Sequence, residues 1–264
     1  MAVALLAGIF PSARAQGTHL WTQTRVEDFE KGRPQGVSLT SDGKLREAPG
    51  LREIVTTPST FVWSVAIDKG GNAWLGTGSP ATVLRVGADG KPVTLFETKD
   101  LSVQVVRLAP DGALYAATMP SGKVYKLRAD ATVKQDEDAA TVVFDPAKLE
   151  HPASKSADGK TPDDKENDKD AARSHYVWDM TFDQKGRLYI ATGGPGAVYR
   201  VDLNKSGSAP ELFFKSDEQH IRCLAWDAKG NLIAGSDGSG LVYRISTDGK
   251  GYVLFEAPRR EIPA

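Results

Sequence analysis

The sequence predicts an all-β fold of four-stranded sheets set radially about a common axis. Two observations carry this. One motif occurs four times, as Phe61–Gly78, Gln104–Thr118, Tyr176–Gly193 and His220–Ser236. Within it, the Asp that follows the first apolar segment recurs at Asp68, Asp111, Asp183 and Asp227, with spacings of 43, 72 and 44 residues. A period of about 40–45 residues made of four short strands is that of a propeller blade, and the long spacing is one period plus about 28 inserted residues. One such unit cannot bury its own apolar faces, so units must stack. No segment sustains a helical period.

Each unit reads as the same four strands. The first is apolar almost throughout, as in Val62–Ile67 and Ile221–Trp226, which suits a strand covered on both faces. An Asp and Gly turn follows, because Asp bonds nearby backbone amides and Gly accepts positive φ. The second strands are Ala73–Thr77, Ala113–Thr118, Arg187–Thr192 and Asn231–Ser236. Turns rich in Gly, Pro and Ser lead to third strands that alternate: Val83-Leu-Arg-Val, Val124-Tyr-Lys-Leu, Val198-Tyr-Arg-Val and Val242-Tyr-Arg-Ile. The fourth strands, Val93–Phe96, Val142–Phe144, Leu212–Phe214 and Val253–Phe255, each end in Phe.

Laid on this register, Ala264 falls in the first strand of a fifth blade. The expectation is four complete blades over residues 61–264, an incomplete ring, and further C-terminal blades beyond. Residues 16–60 form an N-terminal partial blade and linker. The Ser-Asp-Gly turn within Gly36–Pro49 supports this, and pairing with C-terminal strands would hide two open edges.

The 33 Lys and Arg nearly balance the 34 Asp and Glu, for a net charge of −1. There is no global pull toward nucleic acid or anionic membrane. Residues 1–15 resemble a secretory signal: Ala2–Phe10 is apolar, too short to span a bilayer, and Ala13-Arg-Ala15 suits cleavage. The expected location is therefore periplasmic or secreted. The lone Cys223 forms no internal disulfide and reads as a small buried thiol. Residues 146–175 are an insert too polar to fold alone. Its acidic run Asp163–Asp170 matches a calcium loop poorly, and His151 and His175 flank it.

With these units in view, the chain resembles bacterial β-propeller repeat proteins of the WD-like, NHL and two-component-regulator-propeller kind. Ile67-Asp-Lys-Gly-Gly-Asn-Ala-Trp-Leu-Gly-Thr-Gly78 is similar to the regulator type, and Leu188-Tyr-Ile-Ala-Thr-Gly-Gly194 to NHL and gluconolactonase repeats. The resemblance implies the fold and says little about activity.

In propellers the starts of the first strands gather at one channel mouth. Here they supply Phe61, Gln104, Tyr176 and His220, then Trp63, Val106, Trp178 and Arg222, then Ser64, Arg107, Asp179 and Cys223. The candidate ligand-binding residues are Phe61, Trp63, Gln104, Arg107, Tyr176, Trp178, Asp179, His220 and Arg222, an aromatic surface with convergent polar groups. For Trp63 and Trp178, packing between blades is the reading the sequence favours. The lactonases of this shape hold metal on several carboxylates and amides, whereas this surface offers one carboxylate, Asp179, and one imidazole, His220. No nucleophilic triad or phosphate loop is present, and no catalytic residue, metal or cofactor is expected. The repeated basic position Arg85, Lys126, Arg200 and Arg244 reads as a solvated strand position. These features predict an exported, non-catalytic platform that binds a protein or small ligand at the channel mouth. The alternatives are the extracytoplasmic sensor propeller of a signalling protein and a metal-dependent lactonase- or lyase-like enzyme.

Overall fold

The computed structural model describes residues 22, 25, 27–28, 32, 35–40, 42–48, 53–129, 134–149, 176–205 and 207–263. The signal-like stretch, the acidic run and His151 and His175 lie outside these. The chain divides into two units, Met1–Glu53 and Ile54–Ala264. In the first, β1 (Val37–Leu39) and β2 (Leu45–Glu47) pair as an antiparallel hairpin. The Thr40 hydroxyl closes its turn by donating to the Lys44 carbonyl at 3.0 Å.

The second unit holds four antiparallel four-stranded blades. Blade one is β3 (Phe61–Ile67), β4 (Ala73–Gly78), β5 (Thr82–Val86) and β6 (Pro92–Glu97). Blade two is β7 (Ser102–Leu108), β8 (Leu114–Met119), β9 (Val124–Leu127) and β10 (Thr141–Phe144). Blade three is β11 (Tyr176–Phe182), β12 (Leu188–Gly193), β13 (Ala197–Val201) and β14 (Glu211–Lys215). Blade four is β15 (His220–Trp226), β16 (Leu232–Asp237), β17 (Leu241–Ile245) and β18 (Gly251–Glu256). Within each blade the strands pair in chain order. This is an incomplete propeller.

A single bridge joins blade one to blade two, Gly78 to Ser102, and blade three to blade four, Gly193 to His220. The same bridge recurs after blade four, Asp237 to Glu261, with the Ile262 N–H donating to the Ser236 carbonyl at 3.0 Å. Residues 261–263 thus occupy the place of a fifth inner strand.

The first turn follows one rule. Its first N–H donates to the carbonyl four residues on, and a Gly with positive φ sits three residues on: Gly71 (+81°), Gly112 (+86°), Gly186 (+76°) and Gly230 (+79°). Aligned on these glycines, blade two departs from the expected register by two residues. Ala109, not Asp111, takes the place of Asp68, Asp183 and Asp227. Asp111 lies inside the turn, where its Oδ1 accepts from the Ala113 N–H at 3.0 Å. The Asp was a misleading marker because the turn requires only the Gly; Asp adds hydrogen bonds to either position. The start of the insert also differs from expectation. Pro146–Lys148 forms a 3₁₀ turn capped by Asp145, which accepts from the Ala147 N–H at 3.1 Å.

Blades pack through one repeated aromatic pair. The Phe ending each fourth strand meets the third-strand Tyr of the next blade: Phe96 with Tyr125, Phe144 with Tyr199, and Phe214 with Tyr243, at centroid separations of 5.2, 5.3 and 5.2 Å. Phe96 and Phe144 are fully buried, and burial of each such ring stabilises by roughly 2–3 kcal/mol. The arc's two ends lack this cover. On β3, Val62 and Val65 are exposed, while their counterparts Val103, Val106, Val177 and Met180 are buried. On β18, Phe255 is 58% exposed. The expectation of inner strands covered on both faces therefore holds for the middle of the arc and fails for β3, on which no further blade packs among the described residues.

Candidate functional site

Every inner strand carries a β-bulge at the same point: between Val62 and Ser64, Val103 and Val105, Val177 and Asp179, and Ile221 and Cys223. A bulge leaves one residue unpaired and re-aims its side chain. The four bulged residues are Trp63, Gln104, Trp178 and Arg222, and all four line one cleft of about 350 Å³. Ser64, Val65, Val105, Arg107, Asp179, Cys223 and Pro263 complete its wall.

The structure thus brings together Trp63, Gln104, Arg107, Trp178, Asp179 and Arg222. Phe61, Tyr176 and His220 stand beside the cleft rather than in its wall. Phe61 stacks on Trp63 at 5.4 Å and 25°. Tyr176 and His220 lie 5.6 and 5.5 Å from the Trp178 ring. The two-residue register correction reassigns blade two, so that Gln104, not Val106, is the counterpart of the tryptophans. Pro263 in the wall and Glu261 beside it were missed. The signal for them was the spacing from Phe255 to Glu261, which equals that from Phe214 to His220.

Beneath the cleft, polar side chains bolt one blade to the next. Ser64 Oγ accepts from the Val106 N–H at 3.0 Å. Arg107 donates through Nε to the Met180 carbonyl at 3.0 Å and through Nη2 to Asp179 Oδ1 at 2.6 Å. Asp179 also accepts from the Met180 N–H at 2.7 Å and, through Oδ2, from the Leu224 N–H at 2.9 Å. Cys223 Sγ donates to the Ile262 carbonyl at 3.6 Å. Burial pushes the Asp179 carboxyl above its ordinary value, outweighing Arg107 and the two amides, which pull it down. Burial likewise raises the Cys223 thiol and lowers His220.

The tryptophans keep their place because a glycine lies under each. A Cβ at Gly78 would stand 2.7 Å from Trp63 Nε1, and one at Gly193 would stand 2.5 Å from Trp178 Nε1 and collide with His220. Trp178 Nε1 donates to His220 Nδ1 at 3.1 Å. Gly193→Ala is therefore expected to displace both rings, to cost about 1–3 kcal/mol as an overpacked site, and to change the indole fluorescence. Unchanged melting and an unshifted emission spectrum would show that the rings do not rest on this glycine.

The repeated basic position is used within the blades. The Arg85 guanidinium lies 6.0 Å over Trp74, Lys126 lies 5.9 Å over Tyr115, Arg200 pairs with Glu211 at 2.7 Å, and Arg244 pairs with Asp227. A second groove, of about 640 Å³, runs between Lys126, Arg128 and Val142 and the turn Asp202–Lys205, at the outer strands. Among the described residues no three His, Cys, Asp or Glu side chains converge as a metal site would need, and no helix is long and apolar enough to cross a membrane.

No family model and no curated protein matches the chain. Solved structures do. Virginiamycin B lyase from Staphylococcus aureus superposes with a TM-score of 0.52 at 13% identity, over 75% of this chain and 56% of the lyase. The extracellular domain assigned to a hybrid two-component system of B. thetaiotaomicron gives 0.51 at 16% identity, over 85% of this chain and 25% of that one. A gluconolactonase from Xanthomonas campestris gives 0.50 at 16%, over 74% and 61%. The fold is a β-propeller. At these identities the likeness establishes the fold alone, and the chain spans little more than half the length of the lyase. The solved propellers thus include two enzymes and an extracellular domain.

Proposed function

We propose that this chain is an exported β-propeller that binds a ligand in the cleft at its channel mouth and performs no chemistry on it. The observation that supports this best is the bulge repeated in all four inner strands, which turns Trp63, Gln104, Trp178 and Arg222 into one surface. Bulges that re-aim side chains at a common point are features of sites rather than of packing alone. The non-catalytic part of the reading rests on Asp179. It is the carboxylate in the cleft wall, and both of its oxygens already accept hydrogen bonds from Arg107, Met180 and Leu224. A carboxylate committed in this way holds the blades together and has little left for proton transfer or for a cation. The signal-like residues 1–15 support export, and the likeness to an extracellular domain is in keeping with it.

Assaying purified protein against a panel of lactones, with and without a chelator, tests this reading. No turnover above buffer is expected under either condition. A lactonase activity that vanishes with chelator and returns with calcium would replace the platform by the enzyme.

A further inference from the structure

Resting on the reading of the cleft as a ligand site, we propose that its ligand is a small organic carboxylate bearing a flat apolar ring. The argument is an inventory of donors and acceptors. The one carboxylate of the wall, Asp179, is spent. Asp179 Oδ1 takes the Arg107 Nη2–H and the Met180 N–H, and Oδ2 takes the Leu224 N–H. Arg107 is spent too, on Met180, Val106 and Asp179. The cation left to face a ligand is Arg222.

Arg222 is held as a recognition group would be. Its guanidinium lies 3.8 Å from the Trp178 ring centroid, which fixes its plane while leaving its N–H edge to partners. That edge meets Glu261, Nη2 to Oε1, at 2.9 Å. Glu261 lies on the segment after β18, and its side chain is 46% exposed. An ion pair with so exposed a partner is worth little, so an incoming carboxylate can take the place of Glu261 and pair bidentately with the guanidinium. Trp63, half exposed in the same cleft, offers the apolar surface for the ring. Glu261 is thus a built-in stand-in for the ligand's carboxylate.

Calorimetric titration of the full chain with benzoate and phenylacetate, each against its neutral amide, tests this. Wild type, Arg222→Gln and Glu261→Gln are compared, with circular dichroism confirming that each is folded. The acids are expected to bind and the amides to bind at least about tenfold more weakly, as the loss of a charge-assisted pair implies. Arg222→Gln should lose the preference for acids. Glu261→Gln should tighten acid binding by up to about fivefold, since a competing surface ion pair is removed; a merely structural Glu261 would not produce that gain. Acid and amide binding equally would overturn the carboxylate inference and leave the cleft reading standing. Folded protein that binds neither acid nor amide would overturn both.

Discussion

Phe144→Ala is expected to destabilise the propeller by about 3–5 kcal/mol, whereas Phe255→Ala, at the same place in the repeat, should cost less than about 1 kcal/mol. Phe144 is fully buried and packs on Tyr199 of the next blade, so its removal leaves a cavity at a blade junction and forfeits an aromatic pair. Phe255 lies near the end of β18, is 58% exposed and has no such ring against it among the described residues. Truncating an exposed ring opens no cavity, and exposed positions away from special features change stability little. Chemical denaturation of the two variants measures the difference. Equal losses would mean that the two positions have the same surroundings, and that the arc does not end where β18 lies bare.

Asp179→Ala should cost about 3 kcal/mol and loosen three blades at once. The side chain is 11% exposed, and its loss leaves the Met180 and Leu224 amides without their acceptor and Arg107 without its counter-charge. The pH dependence has a definite sign. Because burial raises the Asp179 carboxyl above 3.8, the native state keeps the proton to higher pH than the unfolded chain does. This contribution to stability is therefore fully present below 3.8 and is lost as pH rises through the folded-state value. The stability gap between wild type and Asp179→Asn is thus expected to be larger at about pH 3 than at about pH 7. A gap that widens toward neutrality would mean that the ion pair with Arg107 outweighs desolvation.

The blades were legible because each strand carries its own signal. Continuous apolar inner strands, positive-φ glycines and a terminal Phe recur at fixed offsets, and each reports a local physical need. The register of blade two was not legible from its Asp, since Asp111 and Asp68 both bond turn amides from different positions. Gly71 and Gly112, which the turn cannot replace, mark it correctly. The site was half legible. The aromatic and polar residues at the strand starts could be gathered into a list, but a bulge is a mismatch between two strands and leaves no mark on either strand alone. That mismatch separates Trp63, Gln104, Trp178 and Arg222 from Phe61, Tyr176 and His220. Glu261 and Pro263 join the site through the Asp237–Glu261 bridge, a long-range pairing that only the repeat spacing foreshadows.

The most direct test of the cleft uses the five tryptophans as reporters. In a ¹⁵N-labelled sample the indole N–H signals are assigned by single Trp→Phe substitutions and followed during titration with phenylacetate. The cleft reading predicts that the signals of Trp63 and Trp178 move together and saturate, while those of Trp74 and Trp226 stay in place. Saturating shifts at Trp74 or Trp226 with Trp63 and Trp178 unmoved would place binding elsewhere on the propeller and contradict the account.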